Sequence, residues 1–146
     1  MISLDEYIAL QKAKMAREAG TPKRRNWLRH FREVCEERGF NVISFNWEQQ
    51  KSHSIIVTMH NLPSDFDRYG CLHRHVYFEL VYVYRGCYVN RTQEQILHLT
   101  QGDLMLLNPN VLHSPYCEYD TDVVFNIIIK KEFISNTVVP IMGDSP

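Results

Sequence analysis

The chain has 146 residues, which is the length of about one ordinary domain. Hydrophobic residues make up 45% of it and charged residues 23%, a globular composition that excludes a disordered tail. Its 16 Lys and Arg against 17 Asp and Glu give a net charge of −1, so this chain by itself is not expected to be a dedicated nucleic-acid binder.

The amino-terminal residues and the cysteines predict a cytoplasmic protein. The first residues include Asp5 and Glu6 and lack the basic and apolar regions of a secretory signal. No apolar run approaches the ~18 residues of a membrane span. The four cysteines are widely spaced, without a C-x-x-C pair, which favours reduced thiols over a disulfide scaffold. They are Cys35, Cys71, Cys87 and Cys117.

Residues 1–39 are predicted to form an extension of two helices. Ser3 and Glu6 have the spacing of a capping box at the start of the first helix. Its apolar stripe consists of Leu4, Tyr7, Ile8 and Met15. Gly20-Thr21-Pro22 then supplies a helix end, an N-cap and a proline suited to the first helical position.

The second predicted helix has one clear apolar face and ends at Gly39. That face consists of Trp27, Leu28, Phe31, Val34 and Cys35. We expect it to pack on the rest of the domain or on a partner subunit, and a homodimer is predicted.

The same helix is rich in basic residues, which allow two interpretations. They are Lys23, Arg24, Arg25, Arg29, Arg32 and Arg38. With the turn before them they resemble a helix-turn-helix that contacts phosphate. The favoured alternative is a solvated helix face with i,i+4 pairs such as Arg29–Glu33 and Arg32–Glu36, because an isolated basic run is weak evidence for DNA binding.

From Phe40 onward the hydrophobic period becomes two, and about eight short strands are predicted. They span Val42–Trp47, His53–Met59, His75–Tyr84, Tyr88–Thr92, Gln95–Leu99, Asp103–Leu107, Leu112–Cys117 and Val123–Ile129. Many short strands with regular turns indicate a mainly β sandwich or small barrel. We assign residues 40–134 to this barrel and residues 135–146 to a tail or the start of a linker.

Three polar residues are predicted to face the interior of this barrel. His73, His75 and Glu79 have odd numbers, so on one pleated strand they point to one side, which they share with Val81 and Val83. Two imidazoles and a carboxylate inside a barrel suit one divalent metal ion, such as Zn, Ni, Mn or Fe.

His113 offers a fourth ligand, because it follows a turn at Gly102 and a break at Pro109 that can return it to the same interior. His53, His60 and His98 are interpreted as incidental.

These residues resemble the two motifs of the cupin family. The core of the first motif is matched by His73-x-His75-x3-Glu79-x6-Gly86, and a variant of the second by Gly102 through Pro109 to His113. The resemblance implies a cupin-type jelly-roll β-barrel. The chain departs from the pattern at Asp67, where the first motif has Gly, at Val111, where the second has Gly, and at Cys117, where the family has Asn. The spacing before His113 is also one residue short.

With Asp103 and Pro109, the same run resembles the sensor domain of AraC-type transcription regulators. In that family an amino-terminal cupin binds a small effector and often dimerises, and a carboxy-terminal pair of helix-turn-helix units binds DNA. Only Ser135 to Pro146 follow Ile134, so a DNA-binding half is expected beyond this chain. The resemblance therefore implies an effector-sensing, dimerising domain that contacts DNA only through that missing part.

The resemblance implies an effector pocket around the histidines. The predicted ligand-binding residues are His73, His75, Tyr77, Glu79, Val81, Tyr88 and His113, and Val83, Leu104, Leu106 and Tyr116 belong to the strands around them. The histidines and Glu79 are either metal ligands or metal-free pocket residues bonded to each other or to the effector. A metal-dependent cupin enzyme, an oxygenase or isomerase, and a plain dimerisation module are the alternatives, although no general base is evident beyond the predicted ligands.

Overall fold

The structure is a computed structural model that describes residues 1–26, 29, 41–42, 53–60 and 72–138. Several predictions fall outside the described residues. These are the apolar face of the second predicted helix and its end at Gly39, the strand residues 43–47, Cys35, Cys71, and the last part of the predicted tail.

The first helix, α1, spans Leu4–Ala19 and begins with the predicted capping box. The backbone N–H of Ser3 donates to Glu6 Oε2 at 2.7 Å, and that of Glu6 donates to Ser3 Oγ at 3.2 Å. Ile8 is buried, with Tyr7 and Met15 packed beside it. Leu4, at the first helical residue, is 48% exposed, so the buried stripe begins one turn later than predicted.

The predicted helix end, N-cap and first-turn proline after α1 are confirmed. Gly20 caps the helix, and the Oγ1 of Thr21 accepts a hydrogen bond from the backbone N–H of Arg24 at 3.2 Å. Pro22 begins a helical segment over residues 22–26, where its missing N–H costs no hydrogen bond. Within the described part of the chain, no helix is both long and apolar enough to cross a membrane.

The described residues contain nine strands, followed by a short helix. The strands are β1 (Asn41–Val42), β2 (Ile55–Met59), β3 (His73–Arg74), β4 (Phe78–Arg85), β5 (Cys87–Thr92), β6 (Ile96–Thr100), β7 (Leu104–Leu107), β8 (His113–Tyr116) and β9 (Val123–Ile129). Helix α2 (Lys131–Phe133) continues as one π-helical turn, Ile134–Val138.

The strands form two sheets that pack face to face. One sheet has the order β1-β3-β8-β5-β6, and the other has the order β2-β9-β4-β7. All neighbours are antiparallel except the short β1–β3 pair. Val81, Val83 and Val124 of the second sheet pack against Tyr88 and Leu99 of the first. The predicted mainly β fold, with helical structure at its amino terminus, is confirmed.

The prediction of one strand from His75 to Tyr84 is wrong. The chain bends at residues 76 and 77, so His73 lies on β3 in the first sheet and Glu79 on β4 in the second. The two residues therefore belong to opposite sheets and do not share one strand face. Parity correctly identified the inward side of β4, because Val81 and Val83 are fully buried.

Helix α1 covers part of the outer face of the second sheet. Ile8 packs with Met59, Val123 and Phe125, and Tyr82 lies at the edge of this cluster. The Nζ of Lys12 donates to the carbonyl oxygens of Asp120 (2.7 Å) and Asp122 (2.5 Å), which fastens the helix to the turn before β9. One side of strand β4 therefore faces the interior, and the other side faces α1.

Candidate functional site

The four predicted ligands meet between the two sheets. His73 on β3 is the direct register partner of His113 on β8, His75 follows β3, and Glu79 enters from β4 in the opposite sheet. All four side chains are buried. Burying charged and polar groups lowers the stability of the fold unless they are paired, so the cost of this cluster depends on the hydrogen-bond partners of each side chain.

Two residues orient His113. Its Nδ1 lies 2.9 Å from Oδ1 of Asn90, and Nδ2 of Asn90 donates to the sulfur of Met105 at 3.6 Å. Since an amide oxygen only accepts, the hydrogen-bond network assigns the proton of a neutral His113 to Nδ1. The lone pair on Nε2 then points to His75 and Glu79.

His75 lies between two acceptors. Its Nε2 is 3.0 Å from Oε2 of Glu79 and 3.0 Å from Nε2 of His113. A neutral His75 protonated at Nε2 can satisfy one of these acceptors well but not both. The cluster therefore has more lone pairs than protons at its centre, which is the chemistry of a site for a cation or for a ligand with hydrogen-bond donors.

Aromatic contacts hold the imidazole rings in place. Tyr77 stacks on His75 with a centroid distance of 4.4 Å and an interplanar angle of 8°. The His73 ring lies 4.4 Å from that of His113, and the His75 ring meets His113 edge-on at 4.9 Å. Such packing fixes rotamers, so the nitrogen positions are set by the fold.

Burial keeps two of these histidines neutral. Desolvation, followed by the nearby His75 and His60, lowers the pKa of His73 from 6.5 to about 3. Desolvation, followed by His73, His75 and His60, likewise lowers the pKa of His113 well below its usual value. Neutral imidazole is the form that binds a metal ion, so both residues stay competent as ligands at physiological pH.

The donor set fits a divalent transition metal. One ligand atom from each of His73, His75 and His113 lies within 4.8 Å of the others. Ligand nitrogens around Zn at 2.0–2.1 Å stand about 3.0–3.5 Å apart, so small side-chain adjustments close this group around one ion. Glu79 approaches to 3.0 Å of His75 and 4.0 Å of His113. With a metal bound, Glu79 would supply either a fourth ligand or the acceptor for a ligating histidine.

The other predicted pocket residues divide into two groups. Tyr77 and Tyr88 are buried beside the cluster, and Val81 and Val83 belong to the apolar core that supports it. Leu104 and Leu106 are 62% and 58% exposed, because the residues of β7 that face inward are Met105 and Leu107. Both leucines and Tyr116 belong to strands around the histidines, as predicted, since β7 pairs with β4 and Tyr116 lies on the strand of His113. The two leucines face away from the interior, and Tyr116 pairs with Val89.

Two buried residues of the interior, Asn90 and His60, are not among the predicted site residues. Asn90 lies between Tyr88 and Thr92 with the inward parity of that strand, a signal that a polar residue in an apolar alternation could have given. His60 follows the last residue of β2, and its ring meets Tyr88 edge-on at 5.4 Å. Its position depends on the pairing of β2 with β9, which the sequence does not reveal, so the sequence alone gives no reason to place it in the interior.

No curated protein matches this chain. Among solved structures it is similar to KdgF from Halomonas sp., with 15% identity over 52% of this chain and 60% of that chain and a TM-score of 0.37. It is similar to an RmlC-like cupin from Shewanella frigidimarina, with 18% identity over 56% and 72% of the two chains and a TM-score of 0.43.

It is also similar to an HTH_3 family transcriptional regulator from Vibrio cholerae, with 22% identity over 38% of this chain and a TM-score of 0.35. The chain spans 33% of the length of that regulator. A family model gives the more specific finding. Residues 65–124, which include His73, His75, Glu79 and His113, match the AraC-like ligand binding domain.

Proposed function

We propose that this chain is the effector-sensing domain of an AraC-type transcription regulator and that it binds a small molecule inside the barrel. The proposed contacts are His73, His75, Tyr77, Glu79, Val81, Tyr88 and His113. The domain acts as a homodimer, and DNA is bound by a carboxy-terminal helix-turn-helix domain that is not part of this chain. The match of residues 65–124 to the AraC-like ligand binding domain supports this proposal.

The observation that carries the proposal is the polar centre of the barrel. Three imidazoles and a carboxylate occupy a position where apolar side chains would pack at lower cost. Buried polar atoms of the interior have no hydrogen-bond partner among the described residues, including Nδ1 of His75 within this cluster and the hydroxyl of Tyr88 outside it. Such unmet hydrogen-bonding capacity favours a binding role over a purely structural one.

Strand β4 links the proposed pocket with helix α1 on the outer face of the sheet. Glu79 and Val81 face the interior from β4, whereas Tyr82 and Tyr84 on the same strand pack near α1. A ligand that binds more tightly to one position of β4 therefore also favours one position of α1. Regulation of DNA binding requires that difference in affinity between two states.

The test uses the regulator with its DNA-binding half. Candidate effectors are found by their stabilisation of the purified protein against heat, since a ligand that binds only the folded state raises its Tm. We expect a stabilising compound to change the affinity for operator DNA, and His113→Ala to abolish both effects. If compounds that bind the barrel leave DNA affinity unchanged, the regulatory role is contradicted.

The histidine cluster also supports a second candidate, a metal-dependent cupin enzyme. His73, His75, His113 and Glu79 would hold the ion, which would act as a Lewis acid when bound. In that case Asn90 orients His113, and burial excludes bulk water. Elemental analysis of protein purified without chelators tests the metal. Metal-dependent turnover of an oxidisable or isomerisable substrate would favour the enzyme over the sensor.

A further inference from the structure

His60 and Tyr88 form a second polar group in the interior, separate from the cluster of His73, His75, Glu79 and His113. His60 is 8% exposed and Tyr88 is 0% exposed. The backbone N–H of His60 donates to the carbonyl of Val124 at 2.8 Å, which extends the pairing of β2 with β9 and turns the imidazole inward. The two rings meet edge-on with centroids 5.4 Å apart.

Both side chains carry unused hydrogen-bonding capacity. Nε2 of His60 and the hydroxyl of Tyr88 are buried and have no hydrogen-bond partner among the described residues. Each unpartnered buried polar atom costs stability, and two of them in ring contact indicate a group that a ligand satisfies. Burial raises the pKa of Tyr88 well above 10, with Glu79 and Cys117 contributing, so its hydroxyl keeps a proton to donate.

The charges that act on His60 are positive. Burial, followed by the charges of Lys12 and then Arg24, lowers its pKa to about 4, so the ring is neutral and can donate one N–H. The Nζ of Lys12 is held at the turn before β9 by the carbonyl oxygens of Asp120 and Asp122. The negative charge that acts on Tyr88 is that of Glu79. Its carboxylate lies within hydrogen-bond distance of His75.

We propose that His60 and Tyr88 form a carboxylate subsite, in which Nε2–H and the phenolic O–H donate to the two oxygens of a small organic acid. The inference rests on the proposed function, because it assigns the polar end of the effector bound beside the histidine cluster. His60 lies outside residues 65–124, so the family match does not include it. Two donors match the two acceptor oxygens of a carboxylate, whereas an amide presents one acceptor and one donor group, and a charged acceptor forms the stronger hydrogen bonds.

The test compares small acids with their amides. Chain labelled with 15N-histidine is titrated with propionate and butyrate, and separately with propionamide and butyramide. We expect the acids to shift the His60 imidazole resonances and the amides to bind about tenfold more weakly, since a hydrogen bond to a charged group is the stronger one. Equal affinity for acids and amides, or no His60 shift at tens of millimolar acid, overturns the subsite.

Variants separate binding from folding. Tyr88→Phe removes only a hydroxyl without a partner, so we expect an unchanged or higher Tm together with an affinity for butyrate about tenfold lower. His60→Gln should weaken butyrate similarly, and the same change at the exposed His98 is the matched control. Loss of affinity in His98→Gln, or full affinity in Tyr88→Phe, contradicts the proposal.

The two proposals fail in different ways. Butyrate bound at His60 without any effect on operator DNA contradicts the regulatory role but leaves the subsite intact. An identified effector that changes DNA binding and shifts His73, His75 and His113, but not His60, contradicts the subsite alone.

Discussion

Asn90 and His113 face each other across two neighbouring strands, with Oδ1 of Asn90 2.9 Å from Nδ1 of His113. This bond determines which nitrogen of His113 remains available at the centre of the site. Asn90 is itself held by its contact with Met105, so the orientation of the imidazole depends on residues that do not touch the centre.

Replacing Asn90 with Leu tests this relationship. The Nδ1–H of His113 would lose its acceptor in a fully buried position, so we expect the free energy of unfolding to fall by about 1–3 kcal/mol. Zinc affinity should fall about 10- to 100-fold, as for other residues that orient a metal ligand. Urea denaturation and zinc titration measure the two effects. Gln101→Leu, in an exposed turn, is the control, and unchanged zinc affinity in Asn90→Leu would show that the bond does not orient a ligand.

The glycine at the β4–β5 turn should be far less replaceable than the one before β7. Gly86 has φ +84°, and a Cβ there would lie 2.0 Å from Oδ1 of Asp122. That carboxylate accepts hydrogen bonds from the backbone N–H groups of Cys87 (3.2 Å) and Tyr119 (2.9 Å). Gly102 has φ +94° but open space around it.

We therefore expect Gly102→Ala to lower the free energy of unfolding by about 1–2 kcal/mol, which is the cost of placing a residue with a Cβ in the left-handed conformation. Gly86→Ala should cost clearly more, because the carboxylate must also move and release its hydrogen bonds. Chemical denaturation of the two variants measures the difference. Equal destabilisation would mean that Asp122 adapts without cost.

The sequence predicted most of the strands but not how they come together. The bounds of β9 agree with the prediction, because its apolar run lies between clear turn residues. The bend at residues 76 and 77 was missed, because alternation continues across it and parity cannot detect a change of sheet. The four predicted ligand residues are neighbours in space as expected, since their resemblance to known motifs carries the three-dimensional arrangement.

The contact partners of Asn90 and His60 required the structure. Their roles depend on the pairing of β5 with β8 and of β2 with β9, and pairing between strands distant in sequence leaves no periodic signal.

Acid should destabilise the metal-free protein through its buried histidines. The pKa values of His60 and His73 are about 4 and about 3 in the fold, against 6.5 in the unfolded chain. Between these values the unfolded state binds more protons, so stability is full above pH 6.5 and is lost as the pH falls toward 3 to 4. We expect a decrease of several kcal/mol over this window.

His60→Gln should reduce the slope of this profile between pH 6.5 and about 4, where His73 still contributes. Urea denaturation of chelator-treated protein at a series of pH values measures the slope. The exposed His98→Gln should keep the slope of the parent, and an unchanged slope in His60→Gln would contradict the assignment.

The docking of α1 should depend on one side chain. Ile8 is buried against Met59, Val123 and Phe125, and truncation to Ala should leave a cavity that costs about 2–4 kcal/mol. Leu10, two residues along the same helix, is 59% exposed, so Leu10→Ala should change stability by less than about 0.5 kcal/mol. Thermal and urea unfolding of both variants, followed by tyrosine fluorescence, measure the difference. Since Ile8 lies over the residue that precedes His60, Ile8→Ala should also weaken any ligand bound at His60, and retention of full affinity would show that the helix and the interior are not coupled.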